Sequence, residues 1–233
     1  MTTHIGIIGA MDEEIGILKQ NIENCVEETR HGFSFFTGTM KGKNVTLLKS
    51  GIGKVNAAVG TAILIEKFNP THIINTGSAG GFDMNLNVGD VVISSDVLYH
   101  DVDVTAFGYT PGQMAGMPAS YTPDARLVEK AETYLNTLEG IQTVSGKIAS
   151  GDVFMADSAR VEAVKKTFPD VKAVEMEAAA IAHTCYLAQV PFIVFRSISD
   201  IPGKDGNHLT FEEFVKIAGK HSAHMVMEMV THI

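Results

Sequence analysis

Short runs of β-branched and aromatic residues alternate with helix-patterned segments along almost the whole chain, and this alternation limits the choice of fold more than any other feature. Ile5–Ile8, Phe33–Gly38, Val45–Leu48, His72–Asn75, Val91–Ser94, Val144–Ala149, Ala173–Glu175 and Phe192–Ile198 read as strands. Asp12–Gln20, Lys54–Phe68, Pro123–Leu138, Asp157–Phe168, Met176–Ala188 and Thr210–His232 read as helices. Within Lys54–Phe68, the residues Val55, Val59, Ala62 and Ile63 form a stripe expected to pack on a sheet. Uninterrupted runs such as Ile5-Gly6-Ile7-Ile8 and Phe192-Ile193-Val194-Phe195 fit strands covered on both faces. The expectation is an α/β fold: a single three-layer domain over residues 1–233, with a mixed central sheet flanked by helices. Phe107–Pro118 is the least regular stretch, and long loops in compact domains are usually functional.

Composition removes several classes of function. With 18 Lys+Arg against 27 Asp+Glu the formal charge is −9, and no basic run offsets it, so binding to a nucleic-acid backbone is not expected. Cys25 and Cys185 stand far apart with no ligand spacing, which argues against a disulfide framework or a zinc site and favours a reducing cytoplasm. The apolar opening Ile5–Met11 has no basic segment before it and runs into Asp12-Glu13-Glu14, unlike a secretory leader. Ala173–Ile198 is interrupted by Glu175, Glu177, His183, Pro191 and Arg196, so no membrane span is expected. The histidines form no metal-binding pattern; His221 and His224 read as one face of a solvated terminal helix.

Ligands of parallel sheets bind at the carboxyl ends of strands, so those ends hold the candidate chemistry. Gly9-Ala10-Met11-Asp12-Glu13-Glu14 lacks dinucleotide spacing and puts acids where a helix N-terminus would otherwise accept phosphate. Ser50-Gly51-Ile52-Gly53-Lys54-Val55 is not a P-loop, because Leu48 and Val55 occupy positions that need Gly and Ser/Thr. The small residues of Thr76-Gly77-Ser78-Ala79-Gly80-Gly81 allow close approach to the backbone. Glu175 and Glu177 lie in an apolar strand-to-helix junction, where a buried carboxylate must be paired, and at most one of them is expected to meet a ligand directly. The apolar strand Phe192–Ile198 runs on to Asp200, which alone reads as a turn former.

Taken together, GIIGAMDEE, SGIGKVNAA, INTGSAGGF, YHDVDVTAFGY, SGDVFM, AVEMEAAAIA and RSISD closely resemble the 5′-methylthioadenosine/S-adenosylhomocysteine nucleosidases of the purine and uridine phosphorylase superfamily, from Ile5 to about Phe214. The resemblance implies a nucleoside phosphorylase-like fold, no cofactor or metal, a small nucleoside as substrate and a place in methionine salvage. It also implies hydrolysis of an adenine N-glycosidic bond, with Glu14 as the base that activates water and Asp200 as the acid that protonates adenine N7. By the same match Glu177 accepts hydrogen bonds from the ribose hydroxyls, Met176 packs beneath the sugar, Phe154 stacks on adenine and the backbone of Met155 reads the base edge. Met155 stands where the family usually has Ile, a change that backbone recognition tolerates. Ser78 and Gly80 are placed near ribose and water, and Arg196 behind the acids as a supporting charge. Met11, Ile52 and Phe211 are assigned to an alkylthio slot completed by Val104, Phe107 and Tyr109 of a second subunit, which implies a homodimer.

Two alternatives stand beside this reading. A phosphorylase must hold a phosphate dianion, but only Arg30, Arg126, Arg160 and Arg196 are available, and the first glycine turn supplies acids. A non-catalytic nucleoside sensor would not need Glu14, Glu177 and Asp200 together.

Overall fold

The first apolar run becomes β1 (His4–Gly9), and its alternation defines the two faces of the molecule. Ile5 and Ile7 enter one buried cluster with Ile15, Leu18, Val226 and Val230. Ile8 enters another with Ala57, Leu64, Ala179 and Ile181. The structure, a computed structural model, describes residues 3–135, 140, 142–202 and 211–233, without the side chains of 135 and 211–217.

β1 lies between β4 (Lys43–Lys49) and β5 (His72–Asn75), parallel to both. On the β4 side the sheet continues antiparallel through β3 (Phe33–Met40) to the edge strand β2 (Glu23–Arg30). On the other side β5 pairs with β10 (Phe192–Asp200), whose second half pairs with β6 (Ser78–Gly81). The remaining strands are β7 (Val91–Tyr99), β8 (Thr143–Ser150) and β9 (Val171–Glu175). Pairings β10–β6–β9–β8–β7–β10 close a ring, so one end of the mixed sheet curls into a small barrel. The ring draws the ends of β6, β9 and β10 towards the end of β1.

The helices supply the outer layers. The cluster containing Ile8 holds residues of α2 (Lys54–Phe68) and α5 (Ala178–Ala188). The opposite cluster holds residues of α1 (Asp12–Gln20), α3 (Ala125–Leu135) and α6 (Phe211–His232). α4 (Ser158–Thr167) contributes Val161 and Val164 to a third cluster with Phe82 and Leu98. The expected α/β class, mixed sheet and flanking helices are what the chain adopts.

Several local expectations need correction. β2 has no apolar alternation because its sequence, ENCVEETR, is exposed along nearly its whole length; its pairing with β3 alone makes it a strand. β6 is Ser-Ala-Gly-Gly and carries no strand propensity; it extends because β10 and β9 bond it from both sides. In α2 the buried face is Ala57, Gly60, Thr61 and Leu64, whereas Val55 is 74% and Val59 44% exposed. Small residues seat this helix close to the sheet, and the valines point outward. α3 starts after Pro123 because Asp124 Oδ1 accepts from the amides of Arg126 and Leu127, and Asp157 caps α4 in the same way at Arg160. Residues 136–138 and Thr210, expected to be helical, lie outside the described residues. α6 is not a solvated helix: Ala223, Met225, Val226, Met229 and Val230 are core residues, and His221 Nδ1 meets the Gly89 carbonyl at 3.0 Å, while His224 alone of the pair is exposed.

Leu48 is fully buried among Phe35, Ala57 and Leu64, so Leu48→Ala should cost about 2–5 kcal/mol in urea unfolding. Val26→Ala, on the edge strand, should change stability by less than about 0.5 kcal/mol.

Candidate active site

Glu14 stands at the third position of α1, directly after the turn that leaves β1, and it is 3% exposed. Its Oε2 accepts from the amides of Ala10 and Met11 at 2.8 and 3.2 Å, folding back over the helix start. Its Oε1 accepts from the Ser78 amide at 2.9 Å and the Ser78 hydroxyl at 3.1 Å. The strand β6 is therefore tied to the first turn of α1 through one carboxylate. Gly77 makes this possible, since a Cβ there would lie 2.9 Å from Glu14 Oε1. The neighbouring acids take no part: Glu13 is exposed, and exposed Asp12 pairs with Lys49 at 3.0 Å.

The junction of β9 and α5 carries the other two glutamates, and they differ in environment. Glu175 is buried against Arg196, with Nη2 at 2.5 Å and Nε at 3.2 Å from Oε2. The same oxygen accepts from the amides of Glu177 and Ala178 at 3.0 and 2.8 Å, starting α5, while Oε1 accepts from the Ser150 hydroxyl. Arg196 is completed by the Phe195 carbonyl at 2.9 Å and Asn75 Oδ1 at 2.8 Å. Glu177 has no such cation. Its Oε1 accepts from the Gly53 amide at 2.8 Å, and burial, reinforced by the charge of Glu175, pushes its carboxyl up to about 8 against the opposing pull of Arg196 and Gly53. Asp200 ends β10 at a register shift opposite Gly80, half-buried, with the Ser199 hydroxyl donating to Oδ1 at 2.7 Å.

These strand ends line a concave cavity that opens to solvent, the kind of place where small-molecule sites form. Of the residues singled out from sequence, Glu14, Asp200, Glu177, Met176, Met155, Phe154, Gly80, Ser78, Ile52 and Met11 line it. Phe154 is 62% exposed, so it is a wall of the cavity rather than a core residue. Arg196 is 1% exposed and lies behind the wall, turned onto Glu175. Val104, Phe107 and Tyr109 do not line this chain's cavity; they lie on the irregular segment after β7, where Phe107 is 81% exposed. Phe211 begins α6, and its side chain lies outside the described residues.

Both Glu175 and Glu177 border the cavity, but the Glu175 carboxylate is occupied by Arg196, Ser150 and two amides. Sequence reading passed over Ala10, Ala79, Val153, Val174 and Ser199, the other described residues that line it beside Glu175. It also gave no role to Lys54, Asp101 and Asp152, which are linked by ion pairs just behind Gly53, although all three sit in the motifs SGIGKVNAA, YHDVDVTAFGY and SGDVFM. Among the described residues, no Lys, Arg or His lines the cavity and no metal-binding cluster occurs. No helix among them is long and apolar enough to cross a membrane.

The raised Glu177 carboxyl has a thermodynamic consequence. The folded chain keeps a proton that the unfolded chain releases above its ordinary value of 4.5, so this group's stabilising contribution is complete below that value and is lost as pH rises towards about 8. Glu177→Gln keeps an acceptor for Gly53 and cannot ionise. Its melting temperature relative to the parent should therefore climb between pH 5 and 8.5; a constant difference would show that Glu177 does not titrate in this range.

A family profile for the phosphorylase superfamily matches residues 4–231. A 5′-methylthioadenosine/S-adenosylhomocysteine nucleosidase of Anoxybacillus flavithermus is 56% identical over 230 residues, 99% of each chain. That of Bacillus subtilis is 50% identical over 229 residues, 98% of this chain and 99% of the relative. Among solved structures, the Neisseria meningitidis nucleosidase in complex with methylthio-immucillin-A superposes with a TM-score of 0.94 at 46% identity, covering 99% of this chain and 100% of that one. The Colwellia psychrerythraea nucleosidase in complex with adenine gives 0.94 at 45% identity, covering 99% and 95%. This chain belongs to the 5′-methylthioadenosine/S-adenosylhomocysteine nucleosidases, within the phosphorylase superfamily.

Proposed function

We propose that the protein hydrolyses the adenine N-glycosidic bond of 5′-methylthioadenosine and S-adenosylhomocysteine, giving adenine with 5-methylthioribose or S-ribosylhomocysteine. The observation that carries this reading is the convergence of Glu14, Glu177 and Asp200 on one cavity whose described lining residues include no Lys, Arg or His. As the C1′–N9 bond breaks, its electron pair goes to the base and the sugar becomes cationic, and Asp200 delivers a proton to N7. Glu177 accepts from the ribose hydroxyls and stabilises the oxocarbenium-like sugar, with Met176 beneath it. The attacking water bonds C1′ and gives its proton to Glu14. Of the four donors on Glu14 only the Ser78 hydroxyl is a side chain free to rotate, so it is the contact a water can replace.

Phe154 supplies the stacking face for adenine and the Met155 backbone its edge contacts, while Gly80 leaves room beside Asp200. Met11 and Ile52 form the near side of an alkylthio slot, with Phe211 joining them. Val104, Phe107 and Tyr109 of a second copy complete it in a homodimer. This assembly is supported by the apolar residues the isolated chain leaves open on neighbouring elements, Val55 and Val59 on α2 and Tyr186 and Leu187 on α5. Sedimentation at the mass of two chains is the expected outcome, and a monomer at micromolar concentration would remove the shared slot.

A phosphorylase reading is disfavoured by where the arginines lie. Arg30 pairs with Glu28 on the edge strand, Arg126 and Arg160 are exposed on outer helices, and Arg196 is committed to Glu175. The deciding experiment incubates the protein with 5′-methylthioadenosine, with and without phosphate, and identifies the products by mass. Adenine and free methylthioribose are expected in both; a sugar 1-phosphate formed only with phosphate would mean a phosphorylase, and intact bound substrate a sensor. Glu14→Gln should lower kcat by at least about 100-fold, the scale of lost acid–base catalysis, while adenine still binds, and Asp200→Asn should lose leaving-group protonation to a similar extent. Parent-like turnover in either variant would remove that residue from the mechanism.

A further inference from the structure

The carboxylate of Glu177 is held by an amide that belongs to a turn with little support of its own. Gly53 precedes α2 as its cap residue, with φ of 95°, and as a glycine it has no side chain to cap the helix; no acid stands in the first turn. The first two amides of this helix start are instead taken by carboxylates from other strand ends. The Gly53 amide goes to Glu177 Oε1 at 2.8 Å, and the Lys54 amide to Asp152 Oδ1 at 2.8 Å. Asp152 follows β8 and is two residues before Phe154.

Asp152 is itself fixed from behind. Its amide donates to Asp101 Oδ2 at 2.9 Å, and the same oxygen accepts from Lys54 Nζ at 2.6 Å. Lys54 Nζ also lies 3.8 Å from Asp152 Oδ2 and 5.5 Å from the centre of the Tyr99 ring. The Lys54 and Asp101 side chains are about one-fifth exposed and that of Asp152 about one-half, so the network's worth lies in the geometry it fixes, two backbone amides and three side chains held together, rather than in the strength of an ion pair. It joins the end of β7, the end of β8 and the start of α2, and both of its backbone donors lie next to groups of the cavity.

We propose that Asp152 is a positioning residue for the reaction: as a cap supplied from another strand end, braced by Lys54 and Asp101, it fixes the Gly53 amide on Glu177 and the loop bearing Phe154 in one arrangement. The proposal rests on the nucleosidase reading of Glu177. Without the cap, the start of α2 shifts and the Glu177 carboxylate loses its fixed donor, which harms the cationic transition state more than substrate binding.

The test follows adenine release from 5′-methylthioadenosine by the full-length protein, Asp152→Ala and Asp152→Asn, with thermal unfolding of each. Asparagine keeps the oxygen that accepts from the Lys54 amide, and alanine does not. Asp152→Ala should lose about 10- to 100-fold in kcat/KM, the scale of a misplacement outside the chemistry, with the loss mainly in kcat; Asp152→Asn should stay within about threefold of the parent. Burial raises the Glu177 carboxyl most; of the groups acting on it, Glu175 and Glu14 raise it further, and Arg196 and the Gly53 amide lower it. Only the last changes in Asp152→Ala, so the limb of kcat/KM set by Glu177 should move to higher pH in that variant and not in Asp152→Asn. If Asp152→Ala does not fold, Asp101→Asn loosens the same brace and should show the same kcat loss and pH shift in weaker form. Parent-like kcat/KM and pH limb in a folded Asp152→Ala, or equal losses in both Asp152 variants, would overturn the positioning role. Absence of adenine release by the parent protein would instead overturn the nucleosidase reading, and this role with it.

Discussion

The ion pair between Arg196 and Glu175 is the contact on which the site's geometry depends. Both side chains are almost fully buried, and charges so placed are tolerated only when their hydrogen-bonding capacity is met. Here it is met by residues of four strands: Asn75 ends β5, Ser150 ends β8, Glu175 ends β9 and Arg196 lies in β10. The Ser150 hydroxyl also accepts from the Ala179 amide at 2.7 Å, and Glu175 takes two more amides, so the start of α5 hangs from the same cluster. Loss of either partner would strand a buried charge and free the strand ends together.

That cluster also sets the charge balance of the cavity. One guanidinium serves one carboxylate, and Glu177, two residues on, is left buried without a cation of its own. Glu14 has donors but no cation, and Asp200 adds a third carboxylate to the lining. A cavity lined by these three carboxyl groups, with no Lys, Arg or His among its described lining residues, offers an incoming phosphate dianion no counter-charge, and a carboxylate beside the bound sugar favours a reaction that creates positive charge there. The choice of water as nucleophile in the proposed mechanism thus follows from how the single buried arginine is used.

How far this was legible in the sequence depended on whether a feature is local. Ile5–Ile8, Lys54–Phe68 and Phe192–Ile198 declare themselves through run length and composition, and the acids after Met11 through their position at a strand end. β2 and β6 do not, since the first is charged and exposed and the second is small residues held by neighbours remote in sequence. The face of α2 was misread because a helix seated closely on a sheet buries Ala57, Gly60 and Thr61, and leaves larger valines outside. The partnership of Arg196 with Glu175, across 21 residues, and that of Lys54 with Asp152, across 98, exist only once the strand ends have met.

The closed ring of β6, β9, β8, β7 and β10 explains why those ends meet. An open twisted sheet spreads its strand ends along a line, at about 4.8 Å per strand, so groups on β1 and on distant β9 would stand far apart. Curling the distal half brings β9 against β6, which continues from β5 after the Thr76-Gly77 break, and β5 is the neighbour of β1. Glu177 thereby faces the same space as Glu14, and Asp200 follows because β10 runs along β5 and then β6. Thr76 and Gly77 separate β5 from β6, the strand that belongs to the ring, and Glu14 binds the Ser78 amide directly after them. The residue assigned to water activation is therefore bonded to the first strand of the ring from the first turn of α1, so its placement depends on where the ring holds β6.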